Sequence, residues 1–169
     1  MREVPLSTLQ SMYSISSEEY PIILIAIARG VDDVIYLSSD STARITEDPI
    51  GYGPVSTVSG EAETYAYFPF EITLPQDDGT TVPKMRITVP NISAEIGWWL
   101  RGSLDVPTVT VTLVSSVDLN TAIATFPDFE MVGFNGDTMQ IQGDLMLSNL
   151  EREPFPAGTF NPSSFPGLF

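Results

Sequence analysis

The sequence predicts a mainly β protein: an antiparallel β-sandwich or split barrel of about eight strands, with one inserted helix, a short N-terminal helix and an extended C-terminal arm. Three observations carry that prediction. Runs with a period of two recur along the chain, most cleanly in PTVTVTLVS at 107–115, where Val109, Val111 and Leu113 share one face and threonines the other. Turn signals separate the runs, among them QDDGTT at 76–81 and the Asn135-Gly136 pair. The end of the chain carries Pro154, Pro156, Pro162 and Pro166, which exclude a helix and make a poor inner strand.

Taken in order, Leu6, Leu9 and Tyr13 recur at helical spacing behind Pro5, a residue tolerated in a first helical turn, and predict a short helix over 5–14. Tyr20–Ala28 sets Ile22, Ile23, Ile25 and Ile27 on both parities, so it reads as a strand buried on both faces. Val34–Leu37 pairs back with it across the turn-like Arg29–Asp33. Residues 38–62 are rich in Ser, Thr, Gly and Pro without a steady period, and are expected to form a long binding or contact loop.

Order returns in TYAYFPFEITLP at 64–75. Phe68, Phe70, Ile72 and Leu74 fall on one face and Tyr65 and Tyr67 on the other, while Pro69 marks an edge, a bulge or a break between two strands. In KMRITVPN, Met85, Ile87 and Val89 point inward and Lys84 and Arg86 outward. NISAEIGWWLRG at 91–102 predicts the inserted helix, capped by Asn91 or Ser93 and ended by Gly102. Ile92, Ile96, Trp99 and Leu100 form its stripe, with Trp98 off it. Ala122–Met146 holds two or three further strands, with Met139, Ile141, Leu145 and Leu147 alternating inward. Residues 1–150 thus read as one β domain and 151–169 as an arm.

Composition removes many chemistries. The chain has no Cys and no His, which excludes disulfides, thiolate sites and the usual Ser-His-Asp arrangement. Its net charge of −15 is spread along the whole length and argues against wrapping duplex DNA. MREVPLSTLQ lacks the apolar segment of a signal peptide, and Pro21–Ala28 is shorter than the ~20 residues a spanning helix needs, so a soluble, cytoplasmically made protein without membrane insertion is expected. Asp32-Asp33 and Asp77-Asp78 are read as turn residues rather than calcium ligands, and neither GYGP nor FNGD has a phosphate loop's spacing. No cofactor, metal or catalytic residue is expected. A glycosidase needs only two carboxylates, which the 22 acidic residues leave open, with Tyr65, Tyr67, Trp98 and Trp99 as its sugar platform.

The tail poses a physical problem. Phe155, Phe160, Phe165 and Phe169 each bury about 150–250 Å² in a folded protein, yet they sit among prolines that bar regular structure. Such an arm needs a surface, its own domain or a neighbouring subunit.

An LS-containing N-terminal helix and an apolar strand are followed by TYAYFPFEITLP, MRITVPN, an Ile-rich helix ending in Arg-Gly, PTVTVTLV and finally EPFPAGTFNPSSFPGLF. In that order the chain resembles a family of tailed-bacteriophage proteins catalogued as a domain of unknown function and found among the minor tail genes of long-tailed phages. The FPFEITLP run and the FPGLF terminus are the most specific parts of the likeness. The resemblance implies a structural, non-enzymatic component of the tail tip, similar in role to distal tail and tail-tip ring proteins. It would lie in the virion tail between tail tube and hub or baseplate, near the end of the tape measure, after assembly in the host bacterial cytoplasm. It further implies a homo-oligomeric ring, six copies favoured over three, with genomic DNA only passing through the channel. An acidic lumen would suit that passage by repelling phosphates. The expected subunit contacts are Phe155, Phe160, Phe165, Leu168 and Phe169 of the arm, Trp98 and Trp99 of the helix, and Tyr52 of the long loop. Two rival expectations stand beside this one: a tail-tip module that binds a host-surface saccharide, and a tail-associated glycosidase.

Overall fold

The computed structural model describes residues 5–30, 33–48, 50–75, 84–90, 99, 102, 106–136 and 140–147. They form helix α1 (Leu6–Tyr13) and strands β1 (Pro21–Ala28), β2 (Val34–Ser38), β3 (Arg44–Glu47), β4 (Ile50–Tyr52), β5 (Val55–Ser56), β6 (Glu63–Thr64), β7 (Ala66–Tyr67), β8 (Glu71–Thr73), β9 (Lys84–Pro90), β10 (Thr108–Ser115), β11 (Ala122–Gly136) and β12 (Gln140–Leu147). The mainly β expectation holds. Eight strands make one sheet in the order β7-β2-β1-β10-β11-β12-β9-β8, and β3-β4 and β5-β6 make two small pairs.

The order of the edge strands dictates the shape. A flat eight-stranded sheet would hold its edges roughly 34 Å apart, at about 4.8 Å per strand. Here the edge strands β7 and β8 are joined by Phe68, Pro69 and Phe70 alone, a link that spans no more than roughly 14 Å. The sheet therefore curls until its halves face each other over a shared core, as in a sandwich. It stays open along one seam, because β7 and β8 do not pair with each other. Pro69 is the break between these two strands, one of the three roles its sequence context allows. One pairing departs from the antiparallel expectation: β2 and β7 run parallel through Leu37↔Ala66 and Ser38↔Tyr67, so the sheet is mixed.

β1 is the spine. Its apolar residues occupy both parities, and it pairs antiparallel with β10 from Pro21↔Ser115 to Ala28↔Thr108 and with β2 on its other side. Ile25 and Ile27 face the main core with Val109, Val111, Phe129 and Leu145, while Phe68, Phe70, Ile72 and Trp99 pack against its margin. Ile22 and Leu24 face the opposite side, where Tyr65, Val114, Tyr36, Val58 and Leu119 form a second, smaller core. Both faces of β1 are thus covered, as its sequence requires.

What covers the second face corrects the reading of 38–62 as a structureless loop. The segment folds into the β3-β4 pair and enters the β5-β6 pair, and it lies back on the sheet. Ser56 is fully buried and its hydroxyl donates to the Leu119 carbonyl at 2.5 Å, while the Thr57 amide donates to Asn120 Oδ1 at 3.0 Å. Gly53 makes the close approach possible. Its φ is +148°, and a Cβ there would stand 1.8 Å from the Tyr65 carbonyl oxygen.

Three further expectations change. Tyr65 is not on an outer face: it is 2 % exposed within the second core and meets Tyr36 edge-on at 5.1 Å, whereas Tyr67, two residues on, is exposed on β7. Leu74 is exposed beyond the end of β8 instead of joining Phe68, Phe70 and Ile72. Asn135 and Gly136 belong to the ladder, paired with Gln142 and Ile141, so the β11-β12 connection begins after them. β11 is long enough to need a bulge. Val109 pairs with Phe129 but Val111 with Phe126, which takes Pro127 and Asp128 out of step, and Asp128 adopts φ +58°.

Candidate interaction surface

Helix α1 has an inverted burial pattern. Pro5 precedes it and its carbonyl accepts from the Leu9 amide at 3.1 Å, while Thr8 is buried at 8 % exposure. The apolar residues face outward: Leu6, Leu9, Met12 and Tyr13 are exposed, Met12 at 73 % and Tyr13 at 88 %, and Ile15 follows them into solvent. The periodicity located the helix correctly, yet the stripe that marks it faces away from the domain core.

α1 lies at the end of the sheet where β1 begins and β10 ends. Tyr20 donates its amide to Ser116 Oγ at 3.1 Å, and Ser115 Oγ donates to Glu19 Oε1 at 2.5 Å. The Ser115 hydroxyl, followed by that of Ser11, holds the Glu19 carboxyl below the usual range by bonding its charged form. An apolar cleft of about 270 Å³ opens here, walled by Met12, Tyr20, Pro21, Leu113 and Ile123.

A second exposed apolar group lies on the β3-β4 pair and beside it. Ile50, Tyr52 and Val55 are open to solvent, with Tyr52 at 43 %. Tyr52, singled out by the sequence as a contact residue, thus stands on the surface of an ordered strand. The seam supplies a third feature, a cavity of about 430 Å³ lined by Tyr67, Phe68, Pro69, Phe70 and Glu71 with Thr88 across it. β9 runs past β8 here, so Val89 and Pro90 pair with β12 alone.

Trp99 has a different role. It packs against the main core, and its indole Nε1 donates to Asp33 Oδ1 at 2.9 Å. The Arg29 guanidinium lies over the ring at 4.8 Å, donates Nη1 to the Trp99 carbonyl at 2.6 Å and pairs Nη2 with Asp33 Oδ2 at 2.5 Å. Arg29 and Asp33 flank the β1-β2 turn, so this closed set of bonds pins Trp99 to the end of the sheet. Sequence reasoning named Trp99 for packing but did not link it to these two residues. Their spacing of four across a turn was the available signal.

The sugar platform expected of the rival readings does not assemble among the described residues. Tyr65 is inside, and burial pushes its hydroxyl to a higher pKa, while the indole N–H of Trp99 is already committed to Asp33. Trp98, Phe155, Phe160, Phe165, Leu168 and Phe169 lie outside the described residues, as do Asp32, Asp77, Asp78, Met139 and most of the 91–102 segment. Of that segment, the Gly102 amide donates to the Trp99 carbonyl at 3.2 Å. Among the described residues no group of three acidic side chains is placed to hold a metal ion, and no helix is long and apolar enough to cross a membrane.

The fold and surface together define a class: a mainly β domain built on one curled, open sheet, with uncharged apolar side chains displayed on a short terminal helix and on a folded-back hairpin. The chain belongs to the family described as Domain of unknown function (DUF1833), whose model matches residues 8–160. No curated protein matches it.

Proposed function

We propose that the protein is a structural component of a bacteriophage tail tip, a subunit of a ring between tail tube and hub or baseplate that assembles through its hairpin, its terminal helix and its C-terminal arm. One observation carries the assembly part of this reading: a chain of net charge −15 exposes apolar groups at α1 and at the β3-β4 pair. Apolar side chains gathered on one element and left open to solvent are a surface that protein contacts use. The sequence likeness to minor tail proteins of long-tailed phages supplies the phage part, and the family match runs through the whole β domain. In this reading the subunit is not an enzyme and the neighbours are tail tube, hub and the end of the tape measure. Six copies enclose a channel through which genomic DNA passes, and acidic side chains toward that channel keep phosphates from sticking. The protein is incorporated in the host bacterial cytoplasm and resides in the virion tail.

No observation favours the saccharide or glycosidase readings. Quantitative mass spectrometry of purified virions, with gold-labelled antibody to localise the chain, tests the proposal. The expected result is label at the distal tail end and a fixed copy number divisible by three; virions that lack the chain would overturn it.

A further inference from the structure

We infer that the tip of the β3-β4 hairpin of one copy docks on the outer face of β9 in a second copy, its Glu47 and Asp48 meeting Lys84 and Arg86 there. The inference deepens the assembly reading and rests on it, and it uses neither the arm nor α1.

The receiving patch is a basic point on a strongly acidic chain. Met85, Ile87 and Val89 of β9 are buried, so alternation leaves Lys84 and Arg86 exposed on the other face, roughly 7 Å apart. Arg86 stands in a cross-strand row with Thr73 of β8 and Asp144 of β12, and its Nε donates to Asp144 Oδ1 at 2.7 Å. Lys84 lies beyond the last β8 rung, opposite Met146, and has no acidic partner among the described residues. A cleft of about 430 Å³ opens over this patch, lined by Thr73, Lys84, Arg86, Asp144 and Met146. Its walls thus combine two cations, one opposing carboxylate, and an apolar floor of Met146 with the methylene stems of Lys84 and Arg86.

The hairpin carries the complement. Glu47 and Ile50 form the last rung of β3-β4, which puts an acidic and an apolar side chain on one face of the tip, about 5 Å apart, and Asp48 follows in the turn. All three are exposed, and neither carboxylate has a basic partner among the described residues. Arg44, the hairpin's own cation, sits opposite Tyr52, roughly 10 Å back from Glu47. Elsewhere Glu19, Asp33, Asp40 and Asp118 each accept hydrogen bonds within the chain, so Glu47 and Asp48 stand out as adjacent charges beside an exposed Ile50.

The donor and the receiver lie on strands of the same chain, yet within it no ion pair joins them and both remain open. Each therefore finds its complement on another copy. A contact between two different patches is head-to-tail, and it closes into a ring where the rotation allows, as the assembly reading requires. Two carboxylates set against two cations fix orientation and register, which apolar contact alone does not.

The test uses the full chain in four forms: wild type, Lys84→Glu/Arg86→Glu, Glu47→Lys/Asp48→Lys, and the chain carrying all four changes. Sedimentation velocity should show self-association weakened at least tenfold by each reversal alone. It should return to within threefold of wild type in the four-change chain and in an equal mixture of the two reversed chains. Reversed chains that associate like wild type, or combinations that fail to recover, would overturn the inference. The absence of Cys permits an independent readout. Glu47→Cys in ¹⁴N-labelled chain and Lys84→Cys in ¹⁵N-labelled chain are mixed and treated with a short bis-maleimide. The expected major product is the mixed-isotope dimer linked from 47 to 84; same-isotope dimers alone, or no dimer, would contradict the contact. A wild-type chain that stays monomeric would count against this contact and the ring together. Association indifferent to these charges removes the contact and leaves the ring reading standing.

Discussion

Gly53 shows how a single residue governs the folded-back segment. The backbone there passes so close to the Tyr65 carbonyl that any side chain must push the two apart, in a conformation L residues rarely adopt. Gly53→Ala should destabilise the protein by about 3 kcal/mol in urea unfolding, through strain and overpacking together. Asp128 is the converse case, a residue with a side chain at positive φ inside a bulge. Asp128→Gly should be neutral or stabilising and Asp128→Val should cost about 1–2 kcal/mol in the same measurement, because a β-branched residue fits that region worst. At the turn, Arg29 both stacks on Trp99 and bridges it to Asp33, roles that need a planar fork. Arg29→Lys should therefore shift tryptophan emission and lower stability by about 1 kcal/mol despite keeping the charge.

At the scale of elements, the sequence is most legible where both parities of a strand are informative. PIILIAIA correctly announced a strand covered twice, and the alternation in β9 and β10 placed Met85, Ile87, Val109 and Val111 inside. Legibility failed where a tertiary contact decides the outcome. The 38–62 segment is ordered by Gly53, Ser56 and Asn120 reaching across the chain, and no local period announces such bonds. Asn135-Gly136 carries a strong turn signal, yet the ladder to β12 overrides it, because pairing across that ladder runs through Gly136↔Ile141. α1 misleads in another way: its spacing found the helix, but its apolar side is the outer one. Its junction to the sheet includes the hydrogen bond from Ser115 to the Glu19 carboxylate. With the carboxyl's pKa lowered in the folded state, that contribution is present above the ordinary glutamate value, roughly 4.3, and lost as pH falls through the lowered one. Hydrogen exchange of α1 should accelerate below that pH in the native protein and not in Glu19→Gln, which lacks the titration.

The whole molecule is a sheet whose ends have been brought together by three residues and left unsewn. That topology fixes the core and leaves an open seam, an exposed hairpin and an exposed helix, the surfaces through which the proposed assembly would be made. The candidate site was only partly readable beforehand. Tyr52 and Trp99 were singled out and stand respectively on the surface and against the core, whereas the α1 face emerges only when burial is known. Deletion of 154–169 should leave a folded, soluble domain with an unchanged far-ultraviolet circular dichroism spectrum and abolish incorporation into tails. The most direct test of the account is a symmetry-resolved image of an intact tail tip. It should contain this curled sheet in a closed ring of six between tube and hub; a tail tip with no layer of this fold would contradict the account.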